Sequence, residues 1–130
     1  MTERKQEEAL DKERFVHLTT RGRKSGQPRT VELLFAYEDG EIYLMARAGE
    51  GAGTQWYRNL QADGSATAEI GGFVWKVEAQ PVGDEASALE KARALFRQKY
   101  GAEAVHSMYE STPRLPVKLR LLENTDSPAS

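Results

Sequence analysis

Nine consecutive residues, RGRKSGQPR at 21–29, hold Arg21, Arg23, Lys24 and Arg29 with no acid among them. Guanidinium groups crowded without carboxylate partners repel one another, and a phosphate or carboxylate offsets that repulsion through charge-assisted hydrogen bonds. Gly22 and Gly26 permit a tight reversal, and Pro28 suits the entry to a following strand. The stretch can therefore present Arg23, Lys24, Ser25, Gly26, Pro28 and Arg29 to one anion. Two other readings stand beside this one. A solvated basic turn needs no ligand, and a nucleic-acid patch would ask for a longer basic face than this chain has.

A second stretch, AGEGAGTQWY at 48–57, places glycines ahead of a helix start, where backbone N–H groups favour an anion. Its spacing matches neither the Walker loop nor the dinucleotide fingerprint, so alone it reads as a connection. Trp56 and Tyr57 read as core and rim aromatics, and Asn59 as a polar helix residue. Tyr100 and Tyr109 either pack or close a pocket.

The whole chain narrows the chemistry. Its 18 basic and 20 acidic residues give a net charge of −2, so there is no global attraction to nucleic acid or to an anionic membrane, and affinity for an anion must be local. The chain has no cysteine, which removes disulfides, thiolate metal sites and a thiol nucleophile. His17 and His106 are its two histidines and share no metal-ligand spacing, so no metal site and no histidine-base hydrolase are expected. The charged opening lacks the apolar core of a signal peptide, and no segment approaches the roughly 20 apolar residues of a membrane span. A soluble, cytoplasmic protein is expected.

The elements that must position these residues follow from the pattern. Residues 3–14 favour helix but offer only Ala9 and Leu10 for burial, so residues 1–14 form a short amphipathic helix or tail. FVHLTT at 15–20 reads as a strand. TVELLFAYEDGEIYLMARA reads as a hairpin about Asp39-Gly40, with Val31, Leu33, Phe35 and Tyr37 on one face and, on the partner strand, Ile42, Leu44 and Ala46 alternating with Tyr43, Met45 and Arg47. Thr54 can cap a short helix bearing Trp56 and Leu60 one turn apart. A second hairpin turns at Gly71-Gly72 and points Phe73, Trp75, Val77 and Ala79 inward. Asp84 caps the next helix and Gly101 ends it. LPVKLRLL is the last strand, and the tail from Asn124 is expected to be disordered. Six antiparallel strands with inserted helices imply an α+β domain over 15–123, built on a closed or nearly closed sheet.

The order LTTRGRKSGQPRTVELLF, DGEIYLMA, a glycine-rich loop, WYRNLQA and LPVKLRLLE resembles the deazaflavin-dependent nitroreductase family of split β-barrel flavin proteins, from about Phe15 to Glu123. Gly22 to Arg29 is the most specific part, and W-Y-x-N-L at Trp56 to Leu60 the second. The resemblance implies a six-stranded antiparallel split β-barrel with flanking helices. It also implies coenzyme F-420, a deazaflavin with a phosphate and a polyglutamate tail, with FMN as the alternative. Arg23, Lys24, Ser25 and Arg29 would hold phosphate and glutamate carboxylates. Ala46, Arg47, Ala48 and Gly49 would border the ring and its ribityl chain, with Trp56 and Asn59 forming the pocket. Where many relatives carry Ser-Lys-Gly-Gly, this chain has Arg47-Ala48-Gly49-Glu50. Arg47 replaces the lysine charge, whereas Glu50 adds an acid that bears on the choice between F-420 and FMN. Only Tyr100 and Tyr109 fall where nitro-reducing relatives carry a tyrosine-rich lid.

By that likeness the chain is an oxidoreductase passing hydride from the reduced cofactor to a small electron-poor acceptor such as a quinone, enone or nitro compound, with no catalytic acid or base of its own. The alternative is a non-catalytic split barrel holding flavin, haem or lipid. Strands apolar on both faces, at Val31 to Tyr37 and Ile42 to Arg47, also predict a homodimer.

Overall fold

The computed structural model describes residues 2–47, 55–106 and 114–124. Helix α1 (Thr2–Lys12) leads into β1 (Phe15–Arg21), β2 (Pro28–Leu34), β3 (Ala36–Glu38) and β4 (Glu41–Arg47). Helix α2 (Gln55–Ala62), strands β5 (Ser65–Ile70) and β6 (Phe73–Gln80), helices α3 (Glu85–Tyr100) and α4 (Ala102–Val105), and strand β7 (Arg114–Asn124) follow.

The strands form one seven-stranded sheet in the order β2-β1-β5-β6-β7-β4-β3, antiparallel at every ladder. The expected six strands are thus seven among the described residues. The hydrogen-bonded order also has two ends rather than closing on itself. The reason lies at Phe35, where the long strand expected across Thr30 to Tyr37 is interrupted. Phe35 N–H donates to the Tyr100 hydroxyl at 3.1 Å, so it is spent on α3 rather than on a neighbouring strand. The Phe35 carbonyl lies 2.7 Å from Tyr100 Oη and accepts from Lys99 Nζ at 3.1 Å. Because β2 and β3 are the two ends of the sheet order, its outer margins meet at this one residue.

Side-chain alternation survives the break. Phe35, Ile42, Leu44, Ala46, Trp75, Val77, Val117 and Leu119 are buried in one core, with Val31, Leu33 and Tyr37 packed against it. Leu34, Ala36, Tyr43 and Met45 point the other way and meet Ala92, Phe96 and Val105 from α3 and α4. The second apolar face is thus covered by helix α3 within the chain, and no longer argues for a second copy.

The turn chemistry is as the residue types require. Asp39 and Gly40 both adopt positive φ, 49° and 80°, as a tight hairpin demands. Asp84 caps α3 by accepting from Ser87 N–H at 2.9 Å and Ser87 Oγ at 2.7 Å, which holds its carboxyl below its usual range. Gly101, at φ 99°, ends the helix with its N–H on the Arg97 carbonyl. Helix α1 buries Ala9 and Leu10, as its sparse apolar content predicts. The caps and loops expected at Thr54, 48–54 and Tyr109, and the tail beyond Asn124, lie outside the described residues.

Candidate functional site

The turn between β1 and β2 is shaped by its own hydrogen bonds. Arg21 pairs with Pro28 at the end of the ladder, Gly22 N–H donates to the Gln27 carbonyl at 2.8 Å, and Gly26 N–H donates to the Gly22 carbonyl at 2.8 Å. Ser25 Oγ accepts from Gln27 N–H at 3.1 Å, leaving the hydroxyl proton to donate elsewhere. A Cβ at Gly22 would stand 2.8 Å from Ser25 Oγ and 3.2 Å from the Gln27 carbonyl, so a side chain there would displace the Ser25 hydroxyl and press on that carbonyl. Gly26 takes φ 73°, the left-handed region.

Helix α2 is fastened to this turn by Asn59, a polar side chain only 3% exposed. Its Nδ2 donates to Thr20 Oγ1 at 3.1 Å, and Thr20 is itself 2% exposed. Its Oδ1 accepts from Arg23 N–H at 3.2 Å and from Arg23 Nη1 at 2.9 Å. A buried amide with both ends engaged sets one distance and one angle between strand, turn and helix, because an unmatched donor or acceptor there would cost the full desolvation of that group. Trp56, one turn earlier on α2, is buried in the main core and meets Tyr57 edge to face, with ring centroids 6.4 Å apart.

Between turn and helix opens a cavity of about 730 Å³. The turn contributes Gly22, Arg23, Lys24, Ser25, Pro28 and Arg29 to its lining, and α2 contributes Gln55, Trp56, Arg58 and Asn59. Thr20, Thr30 and Val31 complete the wall. Among the described residues four cations line it and no carboxylate does. Arg21 turns aside into a neighbouring cavity of about 520 Å³ bordered by Asp63, Ser65 and Lys76.

The structure therefore brings Arg23, Lys24, Ser25, Pro28, Arg29, Trp56 and Asn59 to one cavity, with Gly26 in the same turn. Ala46 is buried in the core on β4 and Arg47 stands at the exposed end of that strand, opposite Arg114. Neither lines the cavity among the described residues, and Ala48 and Gly49 lie outside them. Tyr100 packs against Phe96, with ring centroids 5.6 Å apart. Its hydroxyl is occupied by the Phe35 backbone and by the Arg14 carbonyl at 2.8 Å.

Sequence reasoning missed Arg58 and Gln55. The helical spacing of three that joins Trp56 to Asn59 also joins Gln55 to Arg58, so the signal was present in the pattern. Both histidines are absent from the cavity lining. His17 instead sits between Glu32 and Glu69 on the adjoining strands, 3.2 Å from each. No helix is long and apolar enough to cross a membrane among the described residues.

The cavity suits a ligand with an anionic group, and known proteins bear on which. The family model for F420H(2)-dependent quinone reductase matches residues 2–121. An F420H(2)-dependent quinone reductase of Mycobacterium tuberculosis is 37% identical over 67 residues, which cover 50% of this chain and 44% of that protein. The matched stretch thus spans less than half the length of the curated relative. A solved structure described as an F420-H2 dependent reductase superposes with TM-score 0.60 at 23% identity, covering 82% of this chain and 94% of that one. The heme storage protein HutZ of Vibrio cholerae superposes with TM-score 0.71 at 12% identity, covering 93% of this chain and 90% of that one. At such identities the two structures speak for a shared fold.

Proposed function

The chain belongs to the F420H(2)-dependent quinone reductase family, and from that premise we propose that it binds reduced coenzyme F-420 between the 21–29 turn and α2 and reduces a small quinone. The observation that carries this reading is the cavity itself, whose described lining holds four cations, no carboxylate and the Trp56 indole. Such a donor set fits a cofactor whose anionic tail is separated from an aromatic ring.

When bound, the reduced deazaflavin supplies a hydride to an electron-poor acceptor. The chain's own residues bind and orient. Arg23, Lys24 and Arg29 hold the anionic end by charge-assisted hydrogen bonds, and the Ser25 hydroxyl donates beside them. Asn59 keeps Arg23 in place, so the anion meets a cation whose orientation is already fixed and less freedom is lost on binding. Trp56 gives an apolar wall at the inner end of the cavity. Among the described residues no Asp, Glu or His is in the lining, which fits solvent as the source of the proton accompanying reduction.

FMN is the competing cofactor and enones and nitro compounds are competing acceptors. A haem-holding role, suggested by the fold shared with HutZ, is disfavoured because His17 faces two glutamates on the sheet surface and neither histidine lines the cavity. The test is titration of the purified protein with F-420 and with FMN, followed by the rate at which a menadione-type quinone oxidises the bound reduced form. Tight F-420 binding with quinone-dependent turnover is expected. Binding without turnover across an acceptor panel would leave a carrier, and binding of neither cofactor would overturn the reading.

A further inference from the structure

The junction at Phe35 holds an amine that the cofactor cavity does not use. Lys99, near the C-terminal end of α3, donates from Nζ to the Phe35 carbonyl at 3.1 Å. The same nitrogen lies 3.4 Å from the centroid of the Phe35 ring, which is fully buried, and 5.2 Å from that of Tyr100. An ammonium carries three N–H donors and is strongly hydrated. Here aromatic carbon replaces much of that water, and the Phe35 carbonyl is the hydrogen-bond partner among the described residues. Loss of water disfavours the charged form, so burial lowers the Lys99 pKa to about 8 although Asp11 and Glu13 pull it upward.

The amine is not sealed in. It lines a cavity of about 440 Å³ between α1, β3 and α3, together with Asp11, Lys12, Tyr37, Leu95 and Gln98. Tyr37 Oη accepts from Gly40 N–H at 3.0 Å and keeps its own proton to donate. Among the described residues the titratable groups around the nitrogen are Asp11, Lys12 and Glu13 on and just beyond α1, Arg14 after them, Tyr37 on β3 and Tyr100 on α3. An amine short of water yet open to a reagent is a nucleophile, whereas a solvated lysine is almost wholly protonated at neutral pH. Lys12 shares the lining but is mostly exposed, beside Glu8, and Lys91 is held by Glu38 at 2.6 Å, which raises its pKa.

We propose that Lys99 is a covalent modification site, where the neutral amine takes an acyl group from a small acyl phosphate ahead of the chain's solvated lysines. The nitrogen lone pair attacks the acyl carbon, the C–N bond forms and the C–O bond to phosphate breaks. Inorganic phosphate leaves, and solvent takes the surplus proton of the amine. The resulting amide keeps one N–H for the Phe35 carbonyl and holds no charge away from water. Modification therefore relieves the cost of burying an ammonium where the sheet margins meet, at a place independent of the F-420 reading.

The experiment incubates the full-length protein with acetyl phosphate at about pH 7.5 and follows each lysine by peptide mass spectrometry. At that pH roughly a quarter of a group with pKa about 8 is neutral, against about one in a thousand for an ordinary lysine. The weaker nucleophilicity of a less basic amine takes back a factor of roughly ten to twenty. Lys99 should therefore react about tenfold faster than Lys12. Its rate should level off above about pH 8 while that of Lys12 keeps rising, and the preference should vanish in urea, where the cavity is gone. Protein acetylated at Lys99 should also lose the rise in melting temperature between pH 8 and 10.5. Lys99 reacting no faster than Lys12 in the folded protein, a preference that survives in urea, or parallel pH profiles for the two amines overturns the proposal.

Discussion

Asn59 Oδ1 accepts two hydrogen bonds from Arg23, one from the backbone N–H at 3.2 Å and one from guanidinium Nη1 at 2.9 Å. One buried oxygen thus fixes both the path of the cationic turn and the aim of its first guanidinium. Asn59→Ala strands the buried Thr20 hydroxyl and frees Arg23. It should cost about 1–3 kcal/mol in denaturant unfolding and weaken cofactor binding at the same time. Full stability with full affinity would remove the clasp from the account.

Arg29→Ala separates binding from folding. Arg29 is exposed and lines the cavity, so its loss should leave the melting temperature unchanged. F-420 affinity should fall about ten- to a hundredfold. An unchanged titration would deny Arg29 a part in anion binding.

Gly22→Ala tests the geometry of the turn without touching a charge. The added methyl would meet Ser25 Oγ at 2.8 Å. The Ser25 hydroxyl must leave its contact with Gln27 N–H or the turn must widen, and cofactor affinity should drop although every cation remains. The sheet, whose ladder ends at Arg21 and Pro28, should keep its circular dichroism.

Tyr100→Phe removes the hydroxyl shared by Phe35 N–H, the Phe35 carbonyl and the Arg14 carbonyl. The Phe35 N–H loses its partner, and a destabilisation of about 1–3 kcal/mol is expected by chemical denaturation. F-420 affinity should be affected little, because this junction lies at the opposite end of β2 from the cationic turn.

Lys99 supplies a pH signature. Burial lowers its pKa from 10.5 to about 8, against the opposing pull of Asp11 and Glu13. Between those values the unfolded chain holds the proton and the folded chain does not. Stability therefore carries its full penalty below about pH 8 and improves as pH rises toward 10.5. Lys99→Met should flatten this rise in melting temperature. A wild type and variant with parallel pH profiles would show that the ammonium is well solvated.

Much of the fold was legible because local chemistry and global structure agree. Asp39-Gly40 has few conformations other than a tight turn, and period-two alternation from Val31 to Tyr37 assigned side chains to the correct faces on both sides of the break. The break itself was not legible. Its cause is a tyrosine 65 positions away, and no residue near Phe35 announces that contact. The apolar second face was legible as a fact but not in its partner, since periodicity says that a surface is covered without saying whether by α3 or by another copy.

The cavity lining was legible where charge density and spacing coincide, at Arg23, Lys24, Arg29, Trp56 and Asn59. Asn59 nonetheless serves the architecture as much as the cavity, a division of labour that no residue type reveals. Arg58 was hidden by reading the helix as a motif with a variable third position. Ala46 was assigned to the pocket by family likeness, whereas its methyl group packs in the core.

The meeting of both sheet margins at Phe35 has a consequence for circular permutation. New termini cut into the Asp39-Gly40 reversal leave β2 and β3 tethered through one peptide unit. Termini cut at Phe35 release both ribbons at once, each with an open rail of amides and carbonyls that another molecule can adopt as a template. The first permutant should stay in solution, and the second should polymerise.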